Sequence, residues 1–454
     1  MTMNSLDRLR DILRTGRPGA AAPSEAPRVR ELTYEPLDGD GAPLRAIAAL
    51  AGLEGMAQIE TPWGRACVVD RTVDRDAFHG TTRVGACAGF DPVAIGVVGG
   101  RRLDIDTARA ASSPIFLDLE TTGLSGGAGT VAFLVGLGSH EPDGSFRTRQ
   151  FFLDGFPAER AMLHAVAAAV DDAPLVITYN GASFDLPVME TRWLFHRLTP
   201  ALEGRPHVDL LPPARRLWRD AMGGVERSCR LVALEESLLG LRRVGDVPGA
   251  EIPQRYFEFL RSGDPGPIEP VLRHNRLDLL SLAVLAGRAQ RLVHEGPAAT
   301  ADARECLALG RMYERAGRLE EAEAAMRAAV DHPVSDRASS EHAWYALARL
   351  LRRRRHHAEA ALAWRQMLRH ADRRGPRGRE AVEALAVHHE HRQRDLALAR
   401  ALAQRALAAE RDEAKRTSLR HRLARLDRKL AAVHDAGADL PTVVAPLPWC
   451  DDEG

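Results

Sequence analysis

Cysteine is scarce in this chain. Five residues, Cys67, Cys87, Cys229, Cys306 and Cys450, are scattered through 454 positions and form no CxxC pair. That spacing excludes a disulfide framework and a cysteine zinc site, and it suits a reducing compartment. Lysine is scarcer still: Lys415 and Lys429 are the only two, so any basic surface must be built from arginine. No stretch approaches 18 uninterrupted apolar residues, and the start, MTMNSLDRLRDILRTGR, lacks an apolar signal core. Secretion and membrane spanning are therefore not expected, and the expected location is the cytoplasm. Net charge is absent too, with 62 basic residues against 62 acidic ones. A uniformly polycationic nucleic-acid coat is excluded.

What is present is enough for real cores: 45% of residues are apolar and 27% charged, so the chain is not globally disordered. At about 150 residues per domain its length predicts two or three domains. The charge balance is not local. Residues 301–430 hold 29 Lys and Arg against 19 Asp and Glu, which makes an acidic body with a basic tail.

The pattern divides the chain into five parts. Residues 1–30 read as a short amphipathic helix and a Pro-rich linker. Residues 31–110 mix short β-like runs (ACVVDRTV, VAIGVVG) with Gly and Pro, a leader of unclear fold without legible chemistry. In 111–295, PIFLDLE, VAFLVGLG and RTRQFFL read as strands and AERAMLHAVAAAV as an amphipathic helix. PLVITYN is a buried strand, a helix follows over 186–198, then a strand in HVDLL and a closing helix over 268–292. Three meandering strands followed by alternating helices and strands fit an α/β ribonuclease-H-like layout, a mixed sheet with flanking helices. Residues 301–435 are all-α. Small residues at Gly310, Gly317, Ala322 and Ala329 alternate with Tyr313 and Met326, and Ala348, Ala360 and Trp364 repeat the pattern at an offset of 38 residues. That is the alternation of tetratricopeptide (TPR-like) helical repeats. Residues 436–454 read as a flexible tail.

The chemistry lies in the middle part. In IFLDLETTGL, Asp118 and Glu120 stand two apart on a strand, so both side chains leave one face. Paired carboxylates on a rigid strand suit a hard divalent cation such as Mg2+ or Mn2+. In TYNGASFDLPVM, Asp185 opens a helix after a buried strand and a Gly turn; alone it reads as a capping residue. In LRHNRLDLLSL, His274 and Asp278 are four apart and share a helix face. Taken singly, each motif is also an ordinary surface or cap pattern. Taken together, in this order and each at a structural junction, they point to one site. Asp209, in HVDLL, is a further strand acid and reads as structural rather than as a fifth ligand.

DLETTGL, YNGASFD and HNRLD resemble the three motifs of the DEDD-type 3′→5′ exonucleases, a superfamily with a ribonuclease-H-like fold. More narrowly, TGLSGGAGTVAFLVGLG and the TPR-like tail resemble its YprB-like branch. The resemblance spans residues 114–292 and implies that Asp118, Glu120, Asp185 and Asp278 hold metal. It further implies that His274 faces the attacking water as general base. Thr121, Thr122, Gly123, Leu124 and Asn180 would contact the terminal nucleotide of a DNA or RNA 3′ end. Two ions, Mg2+ or Mn2+, roughly 3.5–4 Å apart would then supply the nucleophile and stabilise the leaving oxygen. The histidine stands four residues before the last aspartate, the spacing that the superfamily's tyrosine enzymes use. Metal-generated hydroxide without a histidine base therefore stays open.

The acidic body should repel nucleic acid until metal binds, so a basic auxiliary surface would help capture it. Residues 351–380 hold ten arginines against three acids. These are read either as phosphate contacts or as the wet face of a helical array, whose repeats could equally recruit a protein partner. The expected function is a metal-dependent 3′→5′ exonuclease. The alternatives are a non-catalytic nucleic-acid-binding scaffold and a structure-specific endonuclease on the same fold.

Overall fold

The computed structural model describes residues 52–100, 114–123, 129–219, 229–370, 372 and 375–435. The N-terminal helix and linker expected over 1–30, the tail over 436–454, Leu124 and most of the 125–129 glycine loop lie outside the described residues.

The leader is where the structure departs most from expectation. Met56–Thr61 (β1) and Gly64–Val73 (β2) form an antiparallel hairpin, and two short strands follow, Phe78–His79 (β3) and Thr82–Arg83 (β4). VAIGVVG, read as β-like, is instead a helix, Pro92–Gly99 (α1). The reason lies at its ends. The Asp91 carboxylate accepts from the Val93 N–H at 2.7 Å, Pro92 occupies the first turn, and Gly100 closes it in a left-handed conformation. Those caps, with burial of Ile95, Val97 and Val98, override the β-branched composition.

The α/β body continues with Ile115–Thr121 (β5), Ala132–His140 (β6) and Phe146–Phe152 (β7). Next come Glu159–Val170 (α2), Val176–Thr178 (β8), Asp185–Phe195 (α3), His207–Asp209 (β9) and Leu211–Leu217 (α4). Leu231–Leu234 (α5) runs into a π turn, and Ile252–Ser262 (α6) and Glu269–Glu295 (α7) close the unit. Seven strands form one mixed sheet in the order β1-β2-β7-β6-β5-β8-β9. The three-strand meander is antiparallel, and β8 and β9 run parallel to β5. Because β2 pairs with β7 from Cys67↔Phe152 to Val73↔Phe146, the leader's hairpin extends the sheet of the α/β body.

Two apolar layers cover the sheet. On one face Leu117, Leu119, Phe133 and Phe151 pack on α2, α3 and α6. On the other Phe116, Phe146 and Ile177 pack on α1 and α7, and this second core runs on without a break into the C-terminal helices.

Those helices are Ala303–Arg315 (α8), Leu319–Val330 (α9), Arg337–Arg353 (α10), His357–His370 (α11), Pro376–His388 (α12), Leu396–Ala409 (α13) and Glu413–Asp435 (α14). A Cβ on Gly310 would lie 3.0 Å from Met326 and 3.3 Å from Ala325, so the small residue sets how closely α8 and α9 approach. Ala348, Ala360 and Trp364, its expected counterparts in the next pair, are all buried. Two side chains tie the array to the α/β body: Trp218 Nε1 donates to Glu305 at 2.9 Å, and the Tyr313 hydroxyl donates to the Val293 carbonyl at 2.8 Å. Among the described residues no helix is long and apolar enough to cross a membrane.

Candidate catalytic site

Strand β5 alternates so that Phe116, Asp118 and Glu120 face α7 while Leu117 and Leu119 face the opposite core. Asp118 is paired across the ladder with Gly136, and a Cβ there would sit 2.2 Å from Asn275 Oδ1. The missing side chain lets α7 lie close to the sheet. Buried Asn275 uses that space: its Nδ2 donates to Asp118 Oδ2 at 2.8 Å, and its Oδ1 accepts from Gln150 at 2.8 Å. The Asp118 carboxylate is thus aimed by a fully buried amide pair. A bulge between Glu120 and Thr121 ends the regular ladder at the site.

Asp185 reaches the same place from the other side of β5. Asn180 takes a left-handed turn at φ 68°, and a Cβ on Gly181 would meet Thr178 at 2.5 Å, so only glycine fits. Asp209 fastens this turn, its carboxylate accepting from the N–H groups of Asn180 (2.8 Å), Ala182 (3.2 Å) and Leu211 (2.9 Å). That is a structural role, and it explains the acid at the end of β9. Asp185 makes no capping bond; it is the buried first residue of α3. Helix α3 is fixed by the buried pair of Arg192 with Glu159 at 2.6 Å and by Trp193 Nε1 donating to Leu163 O at 3.0 Å.

Helix α7 presents His274 and Asp278 one turn apart, with His274 Nε2 3.8 Å from Asp278 Oδ2. Three residues that the sequence reading passed over complete this side. Asp246 lies 2.9 Å from His274 Nδ1 through both oxygens, and since a carboxylate only accepts, Nδ1 carries a proton, which leaves Nε2 the lone pair whenever the ring is neutral. Arg243 joins Glu235 (2.5 and 2.7 Å), Asp246 (3.1 Å) and Asp278. Fully buried Glu235 also accepts from Ser281, whose hydroxyl contacts His79 Nε2 at 2.6 Å. A polar chain therefore runs from His79 on β3 through Ser281, Glu235 and Arg243 to Asp278 and, by way of Asp246, to His274 on α7.

Electrostatics bind the four acids into one cluster. Burial pushes the pKa of Asp118 well up, and repulsion from Asp278, Glu120 and Asp185 adds to it. Glu120 is raised the same way, by burial and then by Asp278, Asp185 and Asp246. Burial lifts Asp185 to about 7 against the opposing N–H groups of its own backbone and of Leu119. Asp278 stays raised by burial although Arg243 and His274 pull it down. Burial also pushes Asp246 up, but hydrogen bonds from His274 and Arg243 outweigh it and hold that carboxyl below its ordinary value. Among the described residues, Asp118, Glu120 and Asp185 form no ion pair; the cation on the cluster is Arg243, which pairs with Asp278 and also pulls Glu120 down.

Crowded, desolvated carboxylates lacking counter-charge are the donor set a hard divalent ion requires. Among the described residues no three such side chains are yet arranged around a single ion position. Asp118 gives Oδ2 to Asn275 and Asp278 gives Oδ1 to Arg243.

Residues 115–290 match the model of the RNase H superfamily. The chain is 31% identical to the protein YprB of Bacillus subtilis (strain 168) over 320 residues, 70% of this chain and 75% of that relative. The chain belongs to the YprB family of the RNase H superfamily. Membership of that superfamily suggests a nuclease-type fold. Around this RNase H-like site the residues expected to touch substrate differ among themselves. Thr121 is buried and donates to Gly123 O at 2.8 Å, and the Thr122 hydroxyl accepts from Val131 N–H at 3.1 Å, so both hydroxyls serve the turn. Gly123 faces open space, and Asn180 is exposed with its amide oxygen taken by Ser183 at 3.0 Å.

Substituting Asn275 isolates the aiming device. Asn275→Ala should leave the fold intact and lower metal affinity or turnover about 10–100-fold, as loss of partners behind metal ligands does. Unchanged metal affinity and turnover in that variant would show that Asn275 does not position Asp118.

Proposed function

We propose that this chain is a divalent-metal-dependent phosphodiester hydrolase that removes nucleotides from the 3′ end of DNA or RNA. The observation that carries this reading is the gathering of four buried carboxylates, each with a raised pKa, beside a histidine held by Asp246. Asp118, Glu120, Asp185 and Asp278 would hold Mg2+ or Mn2+. Bound there, two such ions supply an activated water and stabilise the leaving oxygen. His274 accepts the water's proton at Nε2, which Asp246 keeps free by fixing the proton on Nδ1. Gly123 lets the terminal nucleotide approach the backbone beside β5. Among the described residues four cysteines are free, three of them buried, which suits work in the reducing cytoplasm.

Strands labelled at the 3′ or the 5′ end test the reaction. With Mn2+, mononucleotides should leave the 3′ end and chelator should stop them. Internal fragments would favour the endonuclease reading, and a metal-loaded protein that only binds would favour the scaffold.

Metal binding has its own readout. Acids whose folded pKa is raised oppose folding at high pH, and that cost is relieved as pH falls; for Asp185 the window runs from about 7 down to its ordinary 3.8. A bound ion removes the same cost. Mn2+ at 100 times its Kd should therefore stabilise the protein by about 2.7 kcal/mol at pH 8, and by much less at pH 5, where protons compete. His79 has the opposite sign. Burial lowers its pKa from 6.5 to about 4, so the protein loses stability as pH falls through that interval, with or without metal. The metal-dependent difference in Tm cancels the His79 contribution. A difference that does not shrink between pH 8 and pH 5 would remove the carboxylates as the binding groups.

A further inference from the structure

The end of the sheet that carries Glu120 also carries exposed rings. Glu120 on β5 is level with Leu134 on β6, Phe152 on β7 and Cys67 on β2. Three strand spacings, about 14 Å, therefore separate Glu120 from Cys67. Past Cys67, at this same end, lies the β1–β2 turn with Trp63, and past Phe152 the chain turns at Phe156 into α2. Trp63 is 38% exposed, Phe156 43%, and Phe257 on α6 40%.

Ring contacts join these three to the site. Phe133 stands between the partners of Glu120 and Thr121, at the bulge that ends β5, and stacks on buried Tyr256 at 4.2 Å. Tyr256 in turn meets Phe156 at 6.3 Å and Phe257 at 5.9 Å. One turn along α2 from Phe156, the Arg160 guanidinium lies over the Trp63 ring at 4.6 Å, and His164 meets that ring at 4.7 Å. The exposed row thus begins two ring contacts from the bulge and ends on a ring covered by a cation.

Arg160 forms no hydrogen bond or ion pair among the described residues, and its Nε is buried without a partner. The acids around the row are engaged elsewhere: Glu60 with Arg65 at 2.9 Å, Glu159 with Arg192 at 2.6 Å, Glu251 with Arg255 at 3.5 Å, and Asp154 with Cys67 at 3.7 Å. Glu258, exposed next to Phe257, is the remaining one. An apolar protein segment laid on the row would bury Arg160 without a counter-charge, which is costly. A nucleic-acid strand supplies both halves, bases for the rings and a phosphate for the guanidinium.

We infer that Trp63, Arg160, Phe156 and Phe257 form a stacking platform for single-stranded nucleic acid on the 5′ side of the end held in the site. The direction of the strand rests on the nuclease reading; binding to the platform does not.

The test is the anisotropy of fluorescein-labelled oligothymidylate of about 15 nucleotides with the full chain in chelator, over a salt series. Trp63→Ala and Phe156→Ala should each weaken binding about tenfold, the worth of one stacked base, and Trp63→Phe should keep most of the affinity. Arg160→Gln should reduce the salt slope by about 0.7, one phosphate contact. With Mn2+, the two alanine variants should raise KM for this strand about tenfold at unchanged kcat, while KM for a strand of about 3 nucleotides stays the parent's. Parent affinity in both alanine variants, or a parent that does not bind the strand in chelator at low salt, would overturn the platform. So would a leucine-rich helical peptide that binds the parent, but not Trp63→Ala, more tightly than the strand does. If the parent with Mn2+ leaves every strand intact, the nuclease reading fails, while the chelator measurements still decide the platform on their own.

Discussion

Asp118→Asn should abolish strand hydrolysis and at the same time make the metal-free protein more stable. Asp118 keeps a raised pKa because it is desolvated and faces three other carboxylates. Removing its charge relieves that repulsion, and the amide retains the shape that Asn275 holds. Such strain is what sites built for a ligand carry in its absence. The expected gain is about 0.5–2 kcal/mol at pH 8 in chelator, read from urea unfolding. Activity should fall by about three orders of magnitude or more, because several kcal/mol of charge stabilisation go with the ligand. A variant that is inactive but also less stable than its parent would mean Asp118 serves the fold rather than a metal.

The largest loss of stability should come from Arg243→Met. Arg243 is 3% exposed, and its main partner Glu235 is wholly buried. The substitution strands a buried carboxylate, which costs about 3–5 kcal/mol. Ser281 alone cannot replace a bidentate guanidinium. Glu235→Gln in the same chain should recover part of the loss. Activity should remain impaired even then, because Asp246, the partner of His274, and Asp278 both lose their anchor. A loss below about 1 kcal/mol for the single variant would show that the network is not required for the fold.

Sequence pattern reached the carboxylates because each stands on an element with a strong local signal. The alternation in IFLDLET fixes which face of β5 carries Asp118 and Glu120, and the i, i+4 spacing puts His274 and Asp278 together on α7. The small–large alternation did the same for Gly310, Ala348 and Trp364 in the helical array. What stayed hidden depends on chain crossings. Strand β2 follows the β-like run ACVVDRTV, but its pairing with β7 crosses 70 or more residues and has no local signature. Helix α1 is decided by Asp91 and Gly100 at its ends rather than by its own residues.

Glu235, Arg243 and Asp246 sit on a π turn and the loop after it, where no period marks a buried face. The faint signal was Arg242, Arg243 and Asp246 set among Val244 and Val247 between helices. Its partners, Asp278 and His274, lie about 30 residues further on.

The rate of mononucleotide release from a labelled strand, followed across a Mn2+ titration in the parent and in Asp278→Asn, tests the central claim most directly. The parent should be silent in chelator and rise to saturation with Mn2+, and Asp278→Asn should stay silent at every concentration. Release without metal, or equal rates in the two proteins, would contradict a hydrolytic centre built on these four carboxylates.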